Sequence, residues 1–269
     1  MDCLVALNYE NLYQPFSNLF MNLSIIEPIL KRIIFSQTAK NLLKKQGKRI
    51  VDYPSGEHKK ITDLLKLKKI DVVLDVGANE GQYGSYLRSI GYKGAIISFE
   101  PLNGIFEILQ SRAKTDPLWT CYQYALGDKE ETAVINVSEN SQSSSLLEVK
   151  TFDYGEKNGM NSIKQQQVEV KTIDNIFFEI TKGYKHVYLK LDVQGFEKKV
   201  LEGALEALKN ITGVQFEMAF EELYKGEMLF DEMLDYMKAR GFHICAFKNG
   251  FHNTETGKLY EADGIFYKV

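Results

Sequence analysis

Asp71–Gly84 reads DVVLDVGANEGQYG. A short apolar run ends in the acid Asp75, and three glycines follow at Gly77, Gly81 and Gly84. Such a run predicts a buried parallel strand that turns sharply into a helix. Glycine in the turn admits a ligand close to the backbone. The helix start is expected to offer free N–H groups to that ligand. Three glycines alone do not say which ligand.

From Asp71 onward strand and helix signals alternate. Strands are predicted at 71–76, 94–99, 118–124, 186–191 and 213–217. Helices are predicted at 81–90, 102–113, 196–208 and 227–240. Residues 242–247 and 264–269 read as a closing antiparallel pair. This rhythm predicts an α/β fold with a doubly wound, mostly parallel sheet. Residues 56–69 read as an amphipathic helix leading into that domain, which is taken as 56–269. Residues 1–55 form an N-terminal extension, helical by pattern. Residues 138–165 break the rhythm with a polar, Ser/Asn-rich run flanked by strand-like segments. A polar insert of that length predicts a lid or substrate-binding loop.

In a doubly wound sheet, ligands sit outside the carboxyl ends of the strands. Asp75, Gly77, Gly81 and Glu100 fall at that edge. A nicotinamide dinucleotide calls for G-x-G-x-x-G, whose second glycine admits the pyrophosphate. Here Asn79 takes that position, and Glu80 brings negative charge to where a pyrophosphate would lie. Both oppose a diphosphate. A nucleoside with an amino-acid tail fits better. Glu100 offers two acceptor oxygens to a ribose diol, and Asp75 can hold an ammonium directly or through water. S-adenosylmethionine has those parts.

The ordered pieces DVGANEGQYG (75–84), SFEP (98–101), ALGD (125–128), SSSLLE (143–148), VKTIDNI (170–176), LKLDVQGFEKKVLEGA (189–204) and DGIFYKV (263–269) resemble the FkbM family of methyltransferases. The likeness covers about residues 70–269 and leaves out 1–55. It implies a seven-stranded Rossmann-like methyltransferase sheet with a C-terminal antiparallel strand, and S-adenosylmethionine as cofactor. Carried over by position, it implies that Asp75, Gly77, Ala78, Asn79 and Gly81 line the methionine part. Glu100, with Pro101, would hold the ribose, and Ala125, Leu126 and Gly127 would flank the adenine. Asp192 would lie near the reactive methyl. Gln194 departs from the family's D-x-E-G pattern, which removes a charge at that position.

Methyl transfer from an activated cofactor asks the protein for alignment and a place for the acceptor's proton. Asp192 and Glu217 end neighbouring strands and are expected to face one cleft as general base or acceptor clamp. A hard cation between them, or a structural role, is the alternative; no metal site is assigned. His252, in the loop before the last strand, is a further candidate base. The family implies an oxygen acceptor, such as a hydroxyl of a sugar, glycan or other small metabolite. The rival readings are a non-catalytic S-adenosylmethionine-binding module and a nicotinamide oxidoreductase.

A net charge of -3 gives no sign of a nucleic-acid partner. Residues 31–69 nevertheless hold twelve Lys or Arg against three acids. That excess is either a solvated face or a surface for weak contact with a membrane or another anionic partner. The three cysteines show no paired spacing, so neither a zinc site nor a disulfide framework is expected. The Met1-Asp2-Cys3 start has no basic leader region, and Phe16–Phe35 is interrupted by charges and Pro28. These features point to a reducing, cytoplasmic setting.

Overall fold

The computed structural model describes residues 3–6, 48–51, 57–150 and 160–268. The chain divides into two compact units, Met1–Asp63 and Leu64–Val269. In the first unit, β1 (Cys3–Ala6) and β2 (Lys48–Val51) pair in parallel. The helical reading of the remainder of 1–55, and most of the basic 31–69 run, lie outside the described residues. Helix α1 covers Glu57–Leu67, as the amphipathic pattern predicts. Among the described residues no helix is long and apolar enough to cross a membrane.

The second unit is built on a seven-stranded sheet. Its strands are β3 (Val72–Val76), β4 (Ala95–Phe99), β5 (Trp119–Tyr122), β9 (Val187–Leu191), β10 (Ile211–Ala219), β11 (Phe242–Asn249) and β12 (Glu261–Lys268). The order across the sheet is β11-β12-β10-β9-β3-β4-β5. Strands β3, β4, β5, β9 and β10 run parallel. Strand β12 is antiparallel to both β10 and β11. Every residue of β3, β4 and β9 is buried, which is why their sequences are continuous apolar runs rather than alternating ones. Each large aliphatic side chain there contributes about 1.5–3 kcal/mol relative to exposure.

Helices α2 (Gln82–Ser89), α3 (Asn103–Ala113), α5 (Glu197–Glu202) and α6 (Phe230–Lys238) follow strands in the expected places. The reading of one helix over 196–208 is corrected. It ends at Glu202 and resumes as a 3-10 turn at Ala207–Lys209. A Cβ on Gly203, the residue that ends the helix, would strike the carbonyl oxygen of Gly127, so no side chain fits there. Helix α4 (Ile173–Ile180), capped by the Thr172 side chain, was not anticipated.

A second sheet holds β6 (Ala125–Leu126), β8 (Ser162–Lys171) and β7 (Glu131–Ser138), in that order. The polar insert leaves from β7 and returns through β8. Its first described part, Ser138–Lys150, crosses the carboxyl edge of the main sheet. It meets Asn79 through Ser141, Gln194 through Ser145, and Leu223 through Lys150. Residues 151–159 of the insert lie outside the described residues.

The chain winds outward from β3 through β4 to β5, then crosses to β9 and winds the other way. The topological switch point therefore lies between β3 and β9, where ligands of doubly wound sheets bind.

Candidate active site

The turn after β3 is shaped by protein contacts. Gly77 has φ 72 and Gly81 has φ 86, both left-handed, a region open to glycine at little cost. A Cβ on Gly77 would collide with the carbonyl oxygen of Asp192. One on Gly81 would lie 2.9 Å from Leu109 Cδ1 and 3.1 Å from the Trp119 ring, and one on Gly84 would enter that ring. These glycines let backbone and indole approach one another, rather than only clearing room for a ligand.

The N–H groups of the turn itself are engaged within the protein. Gly77 and Ala78 both donate to the carbonyl of Phe99, and Gly81 donates to that of Ala78. The Asn79 N–H reaches Glu100 Oε2 at 2.9 Å, and that of Glu80 reaches Asn79 Oδ1 at 2.9 Å. The donors expected at this helix start are the N–H groups of Gln82, Tyr83 and Gly84, ahead of the first intrahelical bond from Ser85 to Gly81.

Glu100 is 4% exposed. Its Oε1 accepts the N–H of Leu102 at 2.9 Å, and its Oε2 that of Asn79. Burial pushes its pKa up to about 7, against the pull of those two donors. Each oxygen keeps a second lone pair. Pro101 is half-buried beside it. Asp75 is fully buried. It accepts from Ser98 Oγ at 3.2 Å, and Ser98 in turn accepts from Trp119 Nε1 at 3.0 Å. The ammonium that faces Asp75 is that of Lys190, at 3.3 Å. Burial raises the Asp75 pKa, with Lys190 opposing.

Lys190 is the principal residue that sequence reasoning missed. It is 7% exposed and also meets Asp192 Oδ2 at 3.2 Å. Burial acts to lower its pKa, yet Asp192 and Asp75 outweigh that and hold it above the usual lysine value. The available signal was a lysine inside the apolar run VYLKL.

Asp192 is half-exposed, and Gln194 joins it to Glu217. Gln194 Nε2 donates to Asp192 Oδ1 at 2.8 Å and to Glu217 Oε2 at 3.0 Å. Its Oε1 accepts from the Tyr224 hydroxyl at 2.7 Å, and its backbone oxygen from Ser145 Oγ at 2.6 Å. These contacts fix the amide's orientation, because the flipped amide would point its oxygen at two carboxylates. The Gln194 backbone has φ 55. Burial, then Asp192, Glu261 and Asp263, raise the Glu217 pKa well above the usual carboxylate range. Burial pushes Glu197 up to about 7 and Glu261 up to about 8, the latter reinforced by Glu197, Glu227, Asp192 and Asp263. Among the described residues no cluster of three or more His, Cys, Asp or Glu side chains has the geometry to hold a metal ion.

The remaining predicted residues lie apart from this array. Ala125, Leu126 and Gly127 are buried. Ala125 and Leu126 form β6, and a Cβ on Gly127 would meet Val170 and Phe196. His252 is exposed, and its ring meets the nearby Gly250 carbonyl at 3.3 Å. Among the described residues no hydrogen bond or ion pair joins it to the acids.

A sheet of this order, with its switch point beside Gly77 and Asp192, is accompanied by a match to the methyltransferase FkbM domain over residues 75–244. The chain belongs to the FkbM methyltransferase family. S-adenosylmethionine is the cofactor of this FkbM domain. No curated protein sequence matches the chain. Among solved structures, TehB from Haemophilus influenzae is similar at 14% identity and TM-score 0.44, over 81% of this chain and 64% of that one. The methyltransferase domain of bacterial CtHen1 is similar at 14% identity and TM-score 0.40, over 78% and 96%. Streptococcus pneumoniae Sp1610 in complex with S-adenosyl-L-methionine is similar at 14% identity and TM-score 0.43, over 77% and 72%. The FkbM chain thus spans 64% of the length of TehB.

Proposed function

We propose that this FkbM chain methylates a hydroxyl oxygen of a sugar, a glycan or another small metabolite. The observation that carries the reading is the Asp192–Gln194–Glu217 array beside the switch point. When bound, S-adenosylmethionine supplies a methyl group made electrophilic by its sulfonium. The chain's residues fit its parts. The spare lone pairs of Glu100 suit two ribose hydroxyls, with Asn79 and Leu102 holding the carboxylate in place. Asp75 acts on the ligand through Lys190 rather than by contact, since Lys190 lies against it.

Asp192 is the group that touches the acceptor and takes its proton. Lys190 and Gln194 orient its two oxygens. Glu217 acts through Gln194. The insert 138–165 supplies acceptor specificity, which its path over the carboxyl edge supports. A small acceptor is favoured over nucleic acid, because acids at this edge repel phosphates. Unpaired Cys121 and Cys245 accord with a reducing cytoplasm. Weak contact with an anionic surface falls to the basic 31–69 run, and residues 1–55 act as an extension outside the catalytic domain.

Two measurements test the reading. Calorimetry is expected to show S-adenosylmethionine binding that weakens at least about tenfold in Glu100→Ala, the loss of about 1.4 kcal/mol. Mass spectrometry of candidate hydroxyl compounds incubated with enzyme and cofactor is expected to show products heavier by one methyl group, lost in Asp192→Asn. Equal cofactor affinity in Glu100→Ala removes the ribose assignment. Full turnover in Asp192→Asn removes the base.

A further inference from the structure

The acids beyond Asp192 exceed what the proposed chemistry uses. In the register of β10 and β12, Glu217 lies opposite Asp263, and Ala219 opposite Glu261. Side chains two apart on a strand share a face, so Glu217, Glu261 and Asp263 project from the same face. The pairing of Lys190 with Gln215 extends to that face as well. It brings Asp192 alongside Glu217, as the Gln194 bridge requires.

Counter-charge there is short. Lys190 is committed to Asp75 and Asp192. Lys248 is committed to Asp263 at 3.0 Å. Glu261 is 6% exposed, and its carboxylate makes no hydrogen bond or ion pair among the described residues. The charged groups that act on it are acids: Glu197, Glu227, Asp192 and Asp263. Buried Tyr224 stands among Glu197, Glu217, Glu227 and Glu261, and adds no positive charge. Without donor or counter-ion, a carboxyl buried in this way holds its proton, and a cationic partner lets it ionise.

We propose that the acceptor of this enzyme carries a protonated amine, seated against Glu217, Glu261 and Asp263 while its hydroxyl faces Asp192. The acceptor class is thus an amino sugar or another amino alcohol. A protonated amine brings the charge this face lacks and N–H donors for acceptor-only carboxylates. It does not need the tight convergence of ligands that a metal ion needs, which these residues do not offer. Carboxylates that hold protons in the free protein lose them when the amine arrives, so binding releases protons. The inference rests on the methyltransferase reading of the Asp192 edge.

The test is a calorimetric titration of the full chain with 1,4-diaminobutane at low salt and neutral pH, with and without saturating S-adenosylmethionine. Two buffers of different ionisation enthalpy report the protons. The expected result is saturable binding with proton release, at least about tenfold weaker in Glu261→Gln and in Asp263→Asn (about 1.4 kcal/mol), and no comparable binding of 1,4-butanediol. Both variants are near-isosteric: Glu261→Gln removes a carboxyl that would ionise on binding, and Asp263→Asn removes the partner of Lys248; a melting curve of each verifies folding. No saturable diamine binding overturns the proposal, as does equal affinity in both variants or equal binding of the diol. A chain that binds the diamine but not the cofactor keeps the acidic site and removes the cofactor reading. The reverse removes the acidic site alone.

Discussion

A side chain on Gly77 would collide with the carbonyl oxygen of Asp192. The turn that ends β3 and the turn that ends β9 are therefore in backbone contact across the switch point. Gly77→Ala must also take up a left-handed φ of 72, which costs about 1–2 kcal/mol by itself. The expected outcome is a melting temperature lower by about 5 °C or more, together with weakened cofactor binding. An alanine variant that melts and binds as the parent does would contradict the contact.

Lys190→Met leaves Asp75 buried without its cation and removes one partner of Asp192. Breaking a buried pair from one side costs about 3–5 kcal/mol. Urea unfolding is expected to show a loss of that size. Adding Asp75→Asn to Lys190→Met is expected to restore much of it, because the orphaned charge is then gone.

Gln194→Glu would put a third carboxylate between Asp192 and Glu217, in contact distance of both. Like charges that close cannot all ionise. The variant is expected to bind an extra proton near neutral pH and to lose stability more steeply than the parent between pH 6 and pH 9. Melting curves across that range check it. Parallel curves for variant and parent would show that the amide does not hold the two acids together.

Glu100, Glu197 and Glu261 have folded-state pKa values pushed up to about 7, 7 and 8 by burial. An unfolded chain releases those protons near the ordinary carboxylate value. Between the two, the native state binds more protons, so stability falls as pH rises. The stability these groups lend is complete below about pH 4 and is lost through about pH 8. Thermal unfolding of the ligand-free protein is expected to drop by several degrees from pH 5 to pH 8, with a shallower slope in Glu261→Gln.

The parallel strands were legible because VVLDV, AIISF and VYLKL are buried on both faces and so carry no alternation to misread. Helix α4 was equally present in the pattern. Ile173, Ile176, Phe177 and Ile180 recur at helical spacing behind the cap Thr172, but the segment follows β8 with no intervening loop, so the two periods run together. The need for glycine at 203 was not readable, because the obstacle to a side chain is the Gly127 carbonyl, 76 residues earlier. Within the site, Asp192 and Glu100 announced themselves as acids just past strand ends, whereas Glu217, read as ending its strand, lies inside β10, which runs on to Ala219. Tyr224 and Glu261 did not announce themselves. Glu261 joins the site through the register of β12 on β10, and Tyr224 through its hydroxyl bond to Gln194, neither of which local sequence shows.

Ser145 Oγ grips the backbone oxygen of the very residue whose amide joins Asp192 to Glu217. A substitution in the serine-rich segment therefore tugs on the carboxylates through a single peptide unit. A change at Ser145 is therefore expected to reach Asp192 and Glu217 without touching either carboxylate.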